Sequence, residues 1–198
     1  DDVRNQATAI VGDATAVDAF VAGREVLHRE SLGRVASVTV AGALSAEERS
    51  RLTAAGLDLG PAVAVDTETM GLSLTRDMLC VVQLSAGDGD AHVVQMDRKS
   101  YDCPNLKALL SDPGTEKILH FARFDVAMVE RYLGVTLAPV FCTKIASKLC
   151  RTYTDRHGLK DVTRELIGVD MNKQQQSSDW GADELSPAQL EYAASDVL

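Results

Sequence analysis

Ala62-Val63-Ala64-Val65-Asp66-Thr67-Glu68 is a short apolar run that ends in two carboxylates. Small apolar residues directly after Pro61 have the texture of a buried central strand. On a strand, residues two apart face the same side, so Asp66 and Glu68 point together into one small space. Two anions at the end of a buried strand repel and lose hydration unless a cation lies between them. Hard oxygen ligands at that spacing suit Mg²⁺ or Mn²⁺. A turn, with Asp66 capping a loop and Glu68 in solvent, is the other reading of the same letters. An EF-hand is excluded: its fifth ligand place holds Met70, its twelfth holds Asp77 rather than Glu, and both flanks read as strands.

Outward from this strand the pattern alternates. Met78 to Ser85 predicts a second strand, Gly87-Asp88-Gly89-Asp90 a tight turn, and Ala91 to Met96 a third strand. A helix over Asn105 to Leu110 is closed by Asp112-Pro113-Gly114. Lys117 to Phe121 predicts a fourth strand, and Asp125 to Leu133 a helix ended by Gly134. Beyond Phe141 the chain reads as helical at Thr143 to Cys150, Leu159 to Ile167, and Pro187 to the end. A hairpin meander followed by helices and strand is an α/β pattern with a mixed central sheet flanked by helices. Residues 1–58 read as an N-terminal extension of unknown role, with a helix from Ala14 to Glu30, a strand from Arg34 to Val40 and a capped helix from Ser45 to Ala55.

Length and composition bound the function. With 198 residues and 45% hydrophobic content, the chain has enough apolar surface for one packed domain, which excludes disorder throughout. No window approaches the roughly 20 apolar residues that span a bilayer, and no secretory signal opens the sequence. Cys80, Cys103, Cys142 and Cys150 lack C-x-x-C spacing, which points to free thiols and a cytoplasmic setting. A net charge of −9 argues against a broad basic face for long nucleic acids. It leaves nucleic-acid chemistry open, because carboxylates loaded with divalent metal reverse the local field.

Three further features bear on chemistry. Tyr192 and Asp196 share one helix face, where a phenol beside a carboxylate can position a water; a core aromatic and a solvent-facing acid would give the same spacing. Asp125 follows the fourth strand and also suits a helix N-terminus. His120, just before it, is a candidate ligand or a satisfied core histidine.

Taken jointly, V-D-T-E-T-M-G-L (65–72), H-F-A-R-F-D (120–125) and Y-A-A-S-D-V (192–197) resemble the three motifs of the DEDDy 3'-5' exonucleases, the family of ribonuclease D. The segments 141–149, 151–160 and 173–180 are similar to the short NrnC-type nano-RNases. The resemblance covers about 56–198. It implies a ribonuclease H-like fold over 59–198 and hydrolysis by two divalent cations, Mg²⁺ or Mn²⁺. Asp66 would bridge both ions, Glu68 and Asp196 would complete the tighter site, and Asp125 would hold the second, partly through water. Tyr192 would orient the attacking water, and a nucleoside 5'-monophosphate would leave from the 3' end.

The same likeness implies a very short RNA, a dinucleotide, as substrate. Positive residues concentrate at Lys144, Lys148, Arg151, Arg156, His157 and Lys160, a confined patch that suits gripping a terminal phosphate. Arg156 and His157, with Tyr153, are the candidates for that grip; a solvated cluster at a helix start is the alternative. Leu72 matches the apolar wedge placed between bases, or is core, and His120 is counted with the substrate-binding candidates. A ribonuclease D-like trimmer of longer RNA, a DNA exonuclease and a non-catalytic nucleic-acid-binding module compete with this reading. The resemblance further implies that the domain is cut short at Leu198, and that the full-length form continues into helices that build a homo-oligomer.

Overall fold

The structure, a computed structural model, describes residues 26–28, 37–40 and 59–198. Among the described residues, seven strands form one mixed sheet: β1 (Val26–His28), β2 (Ser37–Val40), β3 (Ala62–Thr69), β4 (Leu79–Ser85), β5 (Ala91–Gln95), β6 (Glu116–Leu119) and β7 (Val140–Cys142), in the order β1-β2-β5-β4-β3-β6-β7. Helices α1 (Pro104–Ser111), α2 (Arg123–Leu133), α3 (Thr143–Cys150), α4 (Leu159–Ile167) and α5 (Pro187–Ser195) are among the described residues.

β3, β4 and β5 form the antiparallel meander, while β6 lies parallel to β3, and β7 parallel to β6 through the α2 crossover. Every residue of β4 is buried, as befits a strand covered on both faces. On one side, Val63 and Val65 of β3 pack with Leu106 and Leu110 of α1 and Met128, Val129 and Leu133 of α2. On the other, Cys80, Ala91 and Val93 pack with Trp180, Leu185 and the α5 residues Leu190, Ala193 and Ala194. The β4–β5 turn is made by the glycines foreseen, Gly87 and Gly89, both at positive φ.

Several expectations are corrected. Val26–His28 is a strand inside the stretch read as a helix from Ala14 to Glu30; β-branched Val26 and a ladder to β2 outweigh a weak helical pattern. β2 pairs parallel with β5, so this segment of the extension joins the sheet. The helix expected over Ser45 to Ala55 lies outside the described residues. β7 was not foreseen as a strand: three residues carry too little periodicity, and only the parallel ladder to β6 fixes them. His120 lies just past the end of β6 rather than on it.

Candidate active site

Strand alternation builds one wall of the site. Val63, Val65 and Thr67 are buried toward α1 and α2, so Ala64, Asp66 and Glu68 face the side covered by α5. There α5 brings Tyr192 and Asp196. Ser186 caps that helix reciprocally with Gln189, and Pro187 occupies the first turn, where its missing N–H costs nothing. The Gln189 Nε2 also donates to Ser178 Oγ (3.2 Å) and the Asp179 carbonyl (3.0 Å), tying α5 to the preceding loop. Asp196 is the residue at which the helix ends.

Asp66, Glu68 and Asp196 each offer an oxygen, and these atoms lie within 4.8 Å of one another. Asp125, buried in the first turn of α2, arrives from the opposite side of β3 and accepts a 2.6 Å hydrogen bond from Thr67 Oγ1. Without a cation the cluster is electrostatically unfavourable. Burial, then Asp125, Asp196 and Glu68, push the Asp66 carboxyl well above the usual range. Burial and the charges of Asp196 and Asp125 raise Glu68 to about 9. Burial raises Asp125 to about 6 against the Thr67 hydrogen bond, and Asp196 to about 6 against its bond from Tyr192. The Tyr192 phenol, buried beside Asp196 and Glu68, is held firmly protonated. A hard divalent cation would offset both the desolvation and the repulsion, so the all-oxygen donor set fits one.

These groups open into a cleft of about 790 Å³ whose lining includes Asp66, His120, Thr143, Thr163, Tyr192 and Asp196. His120 Nδ1 lies 2.9 Å from Thr143 Oγ1, and burial with the charges of Lys144 and Lys173 lowers the imidazole to about 4. It is therefore neutral at physiological pH. Leu72 is 85% exposed and belongs to no core. The loop that carries it is folded tightly on Asp77, whose carboxylate accepts from Ser73 N (2.8 Å), and a Cβ at Gly71 would collide with that carboxylate.

The basic patch divides on inspection. Arg151 is buried: its guanidinium donates to Ser147 Oγ and the Arg156 carbonyl, both at 2.8 Å, and pairs with Glu165. It is thus a strut rather than an open charge, a correction to its count in the positive patch. Tyr153 OH donates to the same Glu165, and His157 Nδ1 lies 2.9 Å from Ser147 Oγ. Lys160 lies 3.8 Å from Asp170. Tyr153, Arg156 and His157 lie on one short loop between α3 and α4, outside the cleft lining.

A family model described as 3'-5' exonuclease matches residues 44–198. The chain belongs to the 3'-5' exonuclease family. Ribonuclease D of Acidiphilium cryptum is 36% identical over 137 residues, 69% of this chain and 34% of that protein. The structure of Brucella melitensis NrnC bound to pGG has a TM-score of 0.67 and 59% identity, covering 69% of this chain and 66% of that one. The same Brucella protein with bound Mg²⁺ gives a TM-score of 0.66 and 58% identity over the same shares. This exonuclease-family chain spans about a third of the length of the curated ribonuclease D proteins it matches.

Three site residues escaped the sequence reading. Thr67 sits inside the first motif, and alternation alone shows that it faces away from Asp66. Gln83 is the one polar residue in the run Leu79–Leu84; fully buried opposite Asp66 in register, it places Nε2 3.5 Å from Asp66 Oδ2, and its Oε1 has no partner among the described residues. Lys173 lies close enough to favour the charged forms of Glu68 and Asp196, a proximity that only the loop path creates.

Proposed function

We propose that this chain is a divalent-cation-dependent 3'-5' exoribonuclease that hydrolyses very short RNAs, dinucleotides included, to nucleoside 5'-monophosphates. The observation that carries the reading is the meeting of Asp66, Glu68 and Asp196 within 4.8 Å beneath Tyr192, with Asp125 alongside. Two divalent cations, Mg²⁺ or Mn²⁺, held by Asp66, Glu68 and Asp196 and by Asp66 with Asp125, would supply Lewis acidity to the scissile phosphate. The chain's own residues do the rest. Tyr192, protonated and fixed on α5, orients a water by hydrogen bonding, and Asp196 fixes the phenol. Neutral His120 offers the substrate a hydrogen bond without adding charge. Leu72, held out on its tight loop, is shaped to wedge between neighbouring bases, and Arg156, His157 and Tyr153 lie on the loop that would meet a 5' phosphate.

No Lys or Arg is among the described residues that line this cleft, which supports a substrate with few phosphates. Exposed Ile145 and Leu149, four residues apart on one face of α3, with Phe141 exposed on β7 just before it, give apolar surface that supports self-association into a homo-oligomer.

The test is incubation of purified protein with a 5'-labelled dinucleotide, a 20-mer RNA and a 20-mer DNA, each with Mg²⁺, Mn²⁺ or chelator. The expected outcome is cation-dependent hydrolysis, fastest on the dinucleotide and weakly dependent on salt. Equal rates on the dinucleotide and the 20-mer would overturn the length selectivity. Absence of hydrolysis under every condition would leave a non-catalytic binding module.

A further inference from the structure

Phe121 has φ +66°, a left-handed conformation that a bulky side chain adopts only under strain. Tyr101 is the other non-glycine residue at positive φ among the described residues, and its reason is visible: the side chain is buried, its hydroxyl donates to the Leu79 carbonyl at 2.9 Å, and its ring meets Tyr132. Phe121 has no such return, because it is 46% exposed. A glycine would make the same strand-to-helix turn without strain. Two cations instead lie near the ring. Lys144 Nζ lies 4.2 Å from its centroid, and Arg123 Cζ lies 5.6 Å away. Neither cation forms an ion pair among the described residues. Its sequence neighbour His120, and Thr143 beside Lys144, line the acidic cleft.

An exposed aromatic face flanked by cations is the arrangement by which proteins hold single-stranded nucleic acid: the ring stacks a base and the cations meet the phosphates. We infer that Phe121, with Lys144 and Arg123, forms a nucleobase-stacking subsite for the RNA entering the cleft. The inference rests on the exonuclease reading and extends it to a residue that the motif comparison leaves without a role.

Steady-state hydrolysis by wild type, Phe121→Gly, Phe121→Ala and Phe121→Trp tests it, on a dinucleotide and on the same dinucleotide with one base removed, together with melting temperatures. Phe121→Gly relieves the left-handed strain and keeps the melting temperature at or above that of wild type. The expected result is a KM raised roughly 5- to 150-fold for the intact dinucleotide in the Gly and Ala variants, the range that loss of one stacked base implies. The abasic substrate loses little further, and Phe121→Trp retains the wild-type KM. An active wild type with unchanged KM in Phe121→Gly overturns the subsite alone. A wild type inactive on every RNA overturns the exonuclease reading, and the subsite with it.

Discussion

Thr67 and Asp125, 58 residues apart in sequence, are joined by a buried 2.6 Å hydrogen bond in which the hydroxyl donates to Oδ1. Thr67 lies between Asp66 and Glu68 but faces the opposite side of β3. One strand therefore supplies two carboxylates directly and orients a third through the residue between them.

Replacing Thr67 with Val keeps the shape and removes the donor. Loss of such an orienting partner costs roughly 10–100-fold in cation affinity or activity. The expected outcome is a fall of that size in kcat or a matching rise in the Mg²⁺ required, with Thr67→Ser restoring most of it. The acid limb of the pH profile moves to higher pH, because the Thr67 bond is one of the contacts that favour ionised Asp125. A cation titration and pH profile of the three proteins check this.

The carboxylate cluster sets a pH dependence of stability with a definite sign. Glu68, raised from 4.5 to about 9, and Asp125 and Asp196, raised from 3.8 to about 6, all bind protons more tightly folded than unfolded. Their contribution to the cation-free fold is therefore most favourable at low pH, and it is lost as pH rises from about 4 through about 9. In chelator, the melting temperature should fall across that window once other groups are matched by a Glu68→Gln control, which flattens the curve. Saturating Mg²⁺ or Mn²⁺ should raise the melting temperature most at its alkaline end. Thermal melts at pH 5 to 9 measure both.

Tyr192→Phe preserves the ring that packs 5.9 Å from the Trp180 ring and removes the hydroxyl beside Asp196. The fold should persist, and kcat should drop roughly 10²–10⁴-fold, the scale of a lost water-positioning group. Single-turnover hydrolysis of a dinucleotide reads the chemical step, and an unchanged rate would remove Tyr192 from the mechanism.

Arg151→Met disconnects Ser147, the Arg156 carbonyl and Glu165 at once. The loop carrying Tyr153, Arg156 and His157 then loses its strut. A lower melting temperature and a raised KM with kcat nearly unchanged are expected for a 5'-phosphorylated dinucleotide. The same dinucleotide lacking its 5' phosphate should show almost no difference between the two proteins, and steady-state kinetics on the pair of substrates separates the two effects.

Local pattern alone determined much of this protein. The run from Ala62 to Glu68 specified a buried strand ending in two carboxylates on one face, because side-chain alternation is a property of any extended chain. Gly134 marked the end of α2, where it adopts φ +69°, and Pro187 marked the first turn of α5. The α5 spacing of Tyr192 and Asp196 followed from helical geometry. What local pattern left open, apart from the meeting of the acids that the motif resemblance implied, was how distant segments come together. Asp125 reads equally well as a helix-start residue, and only the packing of α2 against β3 turns it toward Thr67 and the other acids. Leu72 reads as wedge or core until its loop folds on Asp77 and leaves it exposed. Arg151 reads as an open cation until α3 and α4 bring Glu165 to it. Val26–His28 and Val140–Cys142 are too short to declare themselves and become strands only where a neighbour supplies the ladder. The physical reason is common to all of these: periodicity and capping act within a few residues, whereas burial, charge pairing and strand ladders depend on which remote surfaces the core brings together.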